Sequence, residues 1–599
     1  MEFIAASRVS VLVLASCAAA LAQDGAAIYQ KHCAQCHDKG VGRAPQLLTL
    51  SLLTPERALA SLTSGKMVEQ GKALTSAEQR AVAAFVTAKS FGADQPLTQG
   101  QCAAAAPLFE KPFAGPYWNG WGVDSNNRRL QPAAMAGLTP DQTPRLKVKW
   151  AFGFPGSGKA FAQPTVVAGR IFAGSDTGKV YSLDAATGCI YWMFKADGPV
   201  RSAITIGPIG AKWAAYFGDQ RANAYAVDAA TGAPLWKVHV DEHPAAMITG
   251  APALYEGRLY VPDSSYEEVT GGSPKYECCK FRGGVSALDA STGKLIWKSY
   301  TIAEPAQPVR KNKQGTQLWG PAGAGVWSSP TVDPKRHAVY VTTGDAYSDP
   351  APRTSDAFMA FDMDTGKLLW SRQLTENDAF NLGCPTGDNC PQANGPDFDF
   401  GCSPNLVDLP NGKRALVAGQ KSGMVHALDP DQQGELLWQA RVGKGGPLGG
   451  VQWGNATDGQ NVYVAVSDHF ATRNLKEGGG MFALKLTTGE RVWSTPAPSC
   501  DKPNCSPAQS AAVTVIPGVV FSGSLDGHLR AYAAADGRII WDVDTAIDYT
   551  AVNGVKAKGG SLDGPGPVVV GGTLYVNSGY GMFGEMPGNV LLAFTVDGK

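Results

Sequence analysis

The sequence has no excess of charge of either sign, because 52 lysines and arginines balance 52 aspartates and glutamates. Proteins that bind nucleic acid usually carry a basic stripe or patch, and no such stripe is visible in this chain. The sequence also lacks an apolar run of the roughly 20 residues that a helix needs to span a bilayer. These absences argue against a nucleic-acid partner and against a membrane-spanning protein.

The N-terminal segment, residues 1–22, has the pattern of an export signal. An apolar stretch, Val9–Ala20, follows Arg8, and Ala20-Leu21-Ala22 is a small-residue cleavage site. Leu14-Ala15-Ser16-Cys17 also resembles a lipoprotein cleavage box, so attachment to a membrane through Cys17 stays an alternative. We expect an exported, periplasmic protein, in which disulfides can form.

One hairpin motif recurs through most of the chain. Each copy has an alternating strand, a turn containing Gly, and a second strand ending in Trp, as in V-S-A-L-D-A-S-T-G-K-L-I-W (Val285–Trp297). Such a turn needs positive φ and joins two antiparallel strands. Seven full copies end at Trp192, Trp236, Trp297, Trp370, Trp438, Trp493 and Trp541, and an eighth, Leu591–Lys599, stops before its Trp.

A hairpin repeated in this way indicates four-stranded propeller blades. The segment L-K-V-K-W (Leu146–Trp150) supplies the missing outer strand of the blade that begins near the C-terminus. This pairing closes the ring and leaves no sheet edge unpaired. We therefore predict an all-β, eight-bladed propeller over residues 117–599, closed by residues 146–150. The repeated tryptophans are expected to pack the ring and to do no chemistry.

The N-terminal part differs, because helical periodicity replaces the strand–turn pattern. Cys33-Ala34-Gln35-Cys36-His37 is the C-x-x-C-H signature of covalent haem c attachment. Cys33 and Cys36 bind the porphyrin and His37 ligates the iron. A redox-active C-x-x-C pair is the alternative. Met67 is the only methionine between Met1 and Met135, so we predict it as the second axial ligand. Residues 23–90 resemble a small all-α class I cytochrome c domain, and residues 91–116 are expected to form a linker.

Long insertions distinguish one face of the predicted propeller. The repeated Thr-Gly turns join the third and fourth strands (C and D) of a blade and are short. The B–C and D–A loops open on the opposite face. All large insertions are in loops of these two types: 262–284, 300–326, 343–357, 373–404 and 494–510. Binding sites are commonly built from elaborated loops on a rigid scaffold, so we expect the site on this face.

Residues in these loops resemble the quinoprotein alcohol dehydrogenases, eight-bladed propellers that hold pyrroloquinoline quinone (PQQ) and calcium. The resemblance covers most of residues 115–599, and the N-terminal haem domain makes the arrangement similar to the cytochrome-type polyvinyl alcohol dehydrogenases. Cys278-Cys279 is similar to the vicinal disulfide that lies against the quinone in this family, although here the pair precedes an inner strand, in a B–C loop. Two separate disulfides to distant partners are the alternative. Trp327, in G-V-W-S-S-P, matches the aromatic residue on the other face of the quinone.

The same resemblance implies a calcium site, because calcium prefers hard oxygen ligands. The segment P-D-S-S-Y-E-E matches a family loop that places Glu267 as a ligand, with Glu268 as the alternative. Asp345, in T-T-G-D, stands where the family usually has a ligand Asn. Asp399, in D-F-D-F-G, matches the general base and calcium neighbour, and Asp378 is the rival base.

Further matches concern the quinone itself. Lys421, in G-Q-K-S-G-M, corresponds to the basic residue that bonds the quinone carbonyls in the family. Thr249 and Arg282 resemble its hydroxyl and guanidinium contacts, and a guanidinium fork suits carboxylates. Gln452-Trp453 is expected at the pocket rim. The lanthanide-type relatives have an acid where this chain has Gly401, which favours calcium.

The remaining cysteines suggest two small loops, closed by Cys384–Cys390 and Cys500–Cys505. Cys102, Cys189 and Cys402 are then left, which is an odd number. Either at least one thiol is free, or the pairing differs from this one.

Taken together, the motifs and the resemblance imply a periplasmic quinohaemoprotein alcohol dehydrogenase. Asp399 would remove the hydroxyl proton, a hydride would pass to PQQ beside calcium, and electrons would leave through haem c to an external cytochrome c. The resemblance implies a secondary alcohol, including a polymeric one such as polyvinyl alcohol. Another alcohol, an aldehyde or a sugar is the enzymatic alternative. Outside enzymes, the alternative is a binding or assembly propeller.

Overall fold

The computed structural model describes residues 24–38, 44–45, 47–51, 53–87, 91, 97, 99–469, 478–500 and 505–599. The expected export signal and the alternative lipidation at Cys17 lie outside these ranges. Within the described ranges, no helix is long and apolar enough to cross a membrane. Helices form the N-terminal module and strands dominate the remainder of the chain.

The N-terminal module is built from short helices around a small apolar core. The described helices are Gly25–His32, Ala34–His37, Leu47–Ser51, Pro55–Thr63, Val68–Gly71 and Ser76–Thr87. Tyr29, Val82 and Ala83 are among the buried side chains of that core. The last helix starts with a capping box: the Glu78 carboxylate accepts from the Thr75 amide at 2.8 Å, and the Thr75 hydroxyl accepts from the Glu78 amide at 3.3 Å.

Eight antiparallel blades follow, which confirms the predicted propeller. Blade 1 comprises Thr165–Val167, Arg170–Gly174, Lys179–Asp184 and Ile190–Lys195, and blade 2 comprises Thr205–Ile209, Lys212–Gly218, Asn223–Asp228 and Pro234–His239. Blade 3 comprises Ala253–Tyr255, Arg258–Ser265, Gly284–Asp289 and Leu295–Tyr300, with Ala246–Met247 as an added strand, and blade 4 comprises Thr331–Asp333, Ala338–Thr342, Ala357–Asp362 and Leu368–Gln373.

The second half of the ring repeats this arrangement. Blade 5 comprises Asn405–Asp408, Arg414–Gly419, Met424–Asp429 and Glu435–Arg441, and blade 6 comprises Ala456–Thr457, Asn461–Val466, Gly480–Lys485 and Arg491–Thr495. Blade 7 comprises Thr514–Ile516, Val519–Gly523, His528–Ala533 and Ile539–Asp544, and blade 8 comprises Val568–Val570, Thr573–Ser578, Val590–Val596 and Leu146–Gly153.

Blade 8 joins the two ends of the propeller. Its outer strand, Leu146–Gly153, pairs antiparallel with Val590–Val596, and the register passes through Ala151 opposite Leu592. A bulge lies between Val148 and Trp150. The strand that comes first in the sequence therefore completes the sheet that comes last, so blade 8 has its four strands and the ring closes.

A few shorter elements decorate the blades. Two-stranded ribbons pair Gln307–Lys311 with Gln317–Gly320, Ala322–Gly323 with Ala346–Ser348, and Asp548–Thr550 with Lys556–Lys558. Short helical segments are Ala133–Ala136, Thr143–Arg145, Glu267–Gly271 and Pro430–Gln432. Helix Glu267–Gly271 and the pair formed by Ala322–Gly323 and Ala346–Ser348 belong to loops that surround the candidate site.

In seven of the eight copies of the repeat, the turn glycine touches the Trp of the preceding blade. Gly293 has φ +73°, and an ideal Cβ there would lie 2.8 Å from the Trp236 ring. The same Trp donates its indole N–H to the Ala290 carbonyl at 3.0 Å. The glycine–Trp contact recurs for Gly188 with Trp150, Gly232 with Trp192, Gly366 with Trp297, Gly434 with Trp370, Gly489 with Trp438 and Gly537 with Trp493. The tryptophans thus join neighbouring blades, in agreement with the packing role predicted for them.

Disulfides fix several surface segments. Cys384–Cys390 and Cys500–Cys505 are bonded as predicted, and so is the vicinal pair Cys278–Cys279. Cys102 pairs with Cys189, which was left open from the sequence, and Cys402 is a buried free thiol. The Cys102–Cys189 bond attaches the chain before the propeller to the C–D turn of blade 1. Beside this bond, Gln101 forms a β-bridge with Ile190.

The glycine–Trp contact can be tested with a matched pair of glycines. Gly293→Ala should lower the thermal midpoint of the propeller more than Gly257→Ala. Gly257 also has positive φ, +77°, but nothing lies within 4 Å of its ideal Cβ. Both variants carry roughly 1–2 kcal/mol of left-handed strain. Only Gly293→Ala must also displace Trp236, at about 1–3 kcal/mol for overpacking. Equal midpoints in the two variants would show that the contact contributes nothing.

Candidate active site

A cavity of about 300 Å³ opens on the face of the propeller that carries the long loops. The lining residues come from B–C and D–A loops of several blades, which is the face predicted from the insertions. Five of the predicted site residues line this cavity: Thr249, Trp327, Asp399, Lys421 and Trp453. Glu267, Asp345, Arg282 and the Cys278–Cys279 pair are not among its lining residues.

Two tryptophans form an aromatic wall of the cavity. The rings of Trp327 and Trp453 meet edge to face, with centroids 5.0 Å apart. The Trp453 indole N–H donates to Asp563 at 2.5 Å, and the Arg201 guanidinium lies 4.2 Å from the Trp453 ring centroid. An ideal Cβ on Gly401 would lie 2.1 Å from the Trp327 ring. Any side chain at position 401, including an acid, would therefore require Trp327 to move.

Three carboxylates converge beside Trp327. Oxygen atoms of Glu268, Asp345 and Asp399 all lie within 4.8 Å of one another. Asp345 is fully buried, and neither of its carboxylate oxygens has a hydrogen-bond partner. Burial and then the neighbouring Asp399 charge raise the pKa of Asp345 well above its ordinary value. Burial also raises the pKa of Glu268 to about 7. A buried acid without partners is costly, and a bound cation relieves this cost.

The carboxylate of Glu267, which was predicted as a metal ligand, accepts hydrogen bonds from groups of the protein itself. Its carboxylate accepts from the amides of Lys280 at 2.9 Å and Phe281 at 2.7 Å, and from the Tyr276 hydroxyl at 2.9 Å. His243 Nε2 lies 3.3 Å away. Burial alone would raise the pKa of Glu267, but His243 and these amides lower it. Glu268, which the sequence left as the alternative ligand, lies in the acidic cluster, and Glu267 does not.

Asp399 is held by two donors on opposite oxygens. The Asp345 amide donates to Oδ1 at 2.5 Å, and Lys421 Nζ donates to Oδ2 at 2.7 Å. Lys421 also donates to Asp397 at 2.7 Å, and all three side chains are buried. The rival base, Asp378, accepts from the amides of Asp397 and Phe398 and does not line the cavity. Asp378 therefore shapes the loop that presents Asp399.

Two predicted quinone contacts are not at the cavity. Arg282 donates to the carbonyls of Ile302 and Ala303, and its guanidinium lies 3.8 Å from the Tyr300 ring centroid. Arg201 lines the cavity and is the guanidinium available there. It follows the outer strand of blade 1 within G-P-V-R, which carries no motif that could have identified it. Cys278 and Cys279 are buried and do not line the cavity.

The N-terminal module presents a haem attachment motif. Cys33 and Cys36 are free, and Cys36 is exposed. His37 is buried, and its Nδ1 lies 2.6 Å from the Pro45 carbonyl oxygen. That hydrogen bond leaves Nε2 as the nitrogen for iron. Met67 lies directly before helix Val68–Gly71, and its amide donates to the Ser61 carbonyl at 2.9 Å.

The module is docked on the propeller face that holds the cavity. Arg57 donates to the Ala196 carbonyl at 2.6 Å and to the Asp197 carboxylate at 2.7 Å. Ala196 and Asp197 follow the outer strand of blade 1, where a D–A loop begins. Ser51 of the module lines a small pocket together with Arg201, Tyr266 and Met582, which also line the main cavity.

Comparison with known proteins identifies the family. The family described as "Glucose/ethanol/alcohol dehydrogenase, beta-propeller domain" matches residues 118–441. A polyvinylalcohol dehydrogenase of Pseudomonas sp is 43% identical over 96% of this chain and 94% of that protein. The chain belongs to the PQQ-dependent alcohol dehydrogenase family. A second polyvinylalcohol dehydrogenase, from Sphingopyxis sp., is 41% identical over 96% of this chain and 93% of its own length.

Other comparisons agree with the two-part architecture of this PQQ-dependent dehydrogenase. Residues 20–86 match the family "Cytochrome C oxidase, cbb3-type, subunit III" and residues 421–591 match "Outer membrane protein assembly factor BamB". The crystal structure of a quinohemoprotein alcohol dehydrogenase from Comamonas testosteroni aligns with TM-score 0.57 and 19% identity, over 81% of each chain. A europium-containing methanol dehydrogenase aligns with TM-score 0.61 and 18% identity, over 80% of this chain and 98% of that chain. These structures show the shared fold.

The cavity fits the cofactor of the family. PQQ is a planar quinone with three carboxylates, and the cavity offers the Trp327 ring together with the cations Arg201 and Lys421. The unpartnered oxygens of Asp345 beside Glu268 and Asp399 fit a hard cation with oxygen ligands.

Proposed function

We propose that this PQQ-dependent dehydrogenase is a periplasmic quinohaemoprotein that oxidises secondary alcohols, including polymeric ones. The observation that carries the proposal is the acidic cluster beside Trp327, in which Asp345 has no partner for either oxygen. Such a cluster needs a cation, and the adjoining cavity has room and charge for a quinone. The two polyvinylalcohol dehydrogenases that match nearly the whole chain support the substrate class.

Some residues of the site are proposed to bind the cation, and others are proposed to contact the quinone. Glu268, Asp345 and Asp399 are the proposed calcium ligands. Trp327 offers a flat apolar surface for the quinone ring, while Lys421 and Arg201 provide donors for its oxygens. When bound, PQQ supplies a two-electron acceptor and calcium supplies a Lewis acid beside it. The protein holds both groups, excludes water and positions the alcohol.

Asp399 is the proposed general base. A carboxylate beside a cation keeps its charge at neutral pH, because the cation favours the ionised form. The Asp345 amide and Lys421 each bond one oxygen of Asp399, and each oxygen keeps a further lone pair. The carboxylate can therefore accept the proton of the substrate hydroxyl without losing its orientation. Lys421 is also paired with Asp397, so the lysine keeps an anionic partner when Asp399 takes up the proton.

The cavity mouth suits a substrate with apolar character. Leu382 and Phe583 line the cavity, and their exposed fractions are 52% and 46%. Exposed apolar side chains at a binding site are typical of an interaction surface. They can contact the carbon backbone of a polymeric alcohol on either side of the reacting unit, which supports polyvinyl alcohol as a substrate.

Electrons are proposed to leave through the N-terminal module. His37 and Met67 are the proposed axial ligands of one covalent haem c, which Cys33 and Cys36 attach. The contact of Arg57 with Asp197 keeps this module at the cavity face. An external cytochrome c is the proposed final acceptor, and such a chain of reactions fits an exported protein.

The proposal is tested by reconstitution of the full-length protein. Protein loaded with PQQ and Ca²⁺ should reduce its own haem when a secondary alcohol is added, and omission of either group should abolish this reduction. Oligomers of vinyl alcohol should be oxidised alongside 2-butanol, whereas glucose should not. Haem spectroscopy and a dye-linked assay measure both results. Haem reduction by glucose alone would assign the site to a sugar.

The role of Asp399 is tested by Asp399→Asn. This variant keeps the shape and one oxygen for the cation but cannot accept a proton, so turnover should fall by roughly two to four orders of magnitude. PQQ and Ca²⁺ affinities should stay near the wild-type values. Asp378→Asn is the control and should reduce turnover much less. If Asp378→Asn abolishes turnover while Asp399→Asn does not, the base is Asp378.

The role of Met67 is tested by Met67→Ala. The haem should remain attached, because the two cysteines are unchanged, but its reduction potential should fall with loss of the thioether ligand. Alcohol should still reduce the quinone, while transfer to external cytochrome c should fail. An unchanged haem spectrum and potential would exclude Met67 as the ligand.

A further inference from the structure

The vicinal disulfide Cys278–Cys279 lies between two segments that each carry one acid of the cluster. The first segment is helix Glu267–Gly271, which contains Glu268. An ideal Cβ on Gly271 would lie 2.8 Å from the Cys278 sulfur and 3.0 Å from the Cys279 sulfur. The disulfide is thus packed directly against the backbone of this helix.

The second segment is the strand Ala346–Ser348, which begins directly after Asp345. The carbonyl oxygen of Tyr347 lies 3.9 Å from the Cys278 sulfur and 3.8 Å from the Cys279 sulfur. Asn381 supports this position, because its side-chain amide donates to the same carbonyl at 3.1 Å. Both cysteines are buried, with exposed fractions of 1% and 0%, so neither sulfur presents a surface to the cavity.

The chain on either side of the disulfide donates hydrogen bonds to Glu267, the residue next to Glu268. The amides of Lys280 and Phe281, the two residues after Cys279, both donate to the Glu267 carboxylate. The Tyr276 hydroxyl, just before the disulfide, donates to it as well. Glu267 therefore ties the first turn of its helix to the disulfide loop on both sides of the pair.

We propose that the vicinal disulfide and Glu267 together brace Glu268 and Asp345 for the cation, and that the disulfide does not contact the quinone. This inference rests on the cation site of the proposed function. Carboxylates that share one site repel each other, so without support their side chains and loops would separate when the cation is absent. Residues that orient metal ligands act in this way without touching the metal. Glu267 is thus a positioning residue, and the disulfide holds the two ligand-bearing segments at a fixed spacing.

Separate titrations of Ca²⁺ and PQQ test the brace. The variants are Glu267→Gln and the double variant Cys278→Ser with Cys279→Ser, and Cys102→Ser with Cys189→Ser is the control. Calorimetric titration of EDTA-treated, full-length protein should show Ca²⁺ affinity about 10–100-fold weaker in the first two variants and unchanged in the control. Quenching of tryptophan fluorescence by PQQ, measured at saturating Ca²⁺, should give wild-type affinity in all three.

The possible results separate the two roles of the disulfide. If the double cysteine variant binds Ca²⁺ as tightly as the wild type but loses PQQ affinity, the disulfide contacts the quinone and the brace is wrong. If the double variant does not fold, Glu267→Gln decides alone, and wild-type Ca²⁺ affinity in that variant overturns the proposal. A wild-type protein that binds neither Ca²⁺ nor PQQ would instead contradict the proposed function, before any variant is compared.

Discussion

The docking of each Trp on the turn of the next blade is the contact on which the rest of the propeller depends. A blade has two apolar faces and cannot bury them alone, so its stability comes from its neighbours. The contact between Trp236 and Gly293 combines ring packing, a hydrogen bond to Ala290 and a turn that only glycine adopts easily. Because these turns stay short and close-packed on one face, insertions are tolerated only on the other. The location of the active site is a consequence of how the ring is held together.

Negative charge dominates the centre of that face. Glu268, Asp345, Asp397 and Asp399 lie together, and Lys421 is the cation bonded to two of them. The hydrogen-bond partners of the acids distinguish their roles. The Glu267 carboxylate accepts hydrogen bonds from the protein and its pKa is lowered, whereas the Asp345 carboxylate accepts none and its pKa is raised. An acid that the protein itself satisfies is structural, and an acid that it leaves unsatisfied is available to a ligand. This distinction points to a cation without reference to any relative.

The propeller was predictable from sequence because its signal is local and repeated. A strand, a glycine turn and a Trp are determined by neighbouring residues, and a repeat with eight copies remains recognisable where one copy departs from the pattern.

The site was less predictable because its geometry is set by loops. Glu267 and Glu268 are adjacent at the start of one short helix, where side chains point about 100° apart. Which of them faces the cavity depends on Lys280 and Phe281, whose amides occupy Glu267. Similarly, Arg201 lines the cavity and Arg282 does not. This could not be predicted, because the position of an isolated arginine relative to a distant loop has no local sequence signal. The Cys102–Cys189 pair joins residues 87 positions apart, and depends on where the linker docks.

The Cys102–Cys189 bond has a kinetic consequence for the proposed electron transfer. The chain between Thr87 and Cys102 can reach at most about 50 Å, even when fully extended. The haem module is therefore confined near the rim of blade 1 whether or not Arg57 is bound to Asp197. Short tethers of this kind correspond to effective concentrations in the millimolar range. Electron transfer from a quinone bound in the cavity to the haem module would then be a first-order event within one molecule, and its rate would not fall on dilution of the protein.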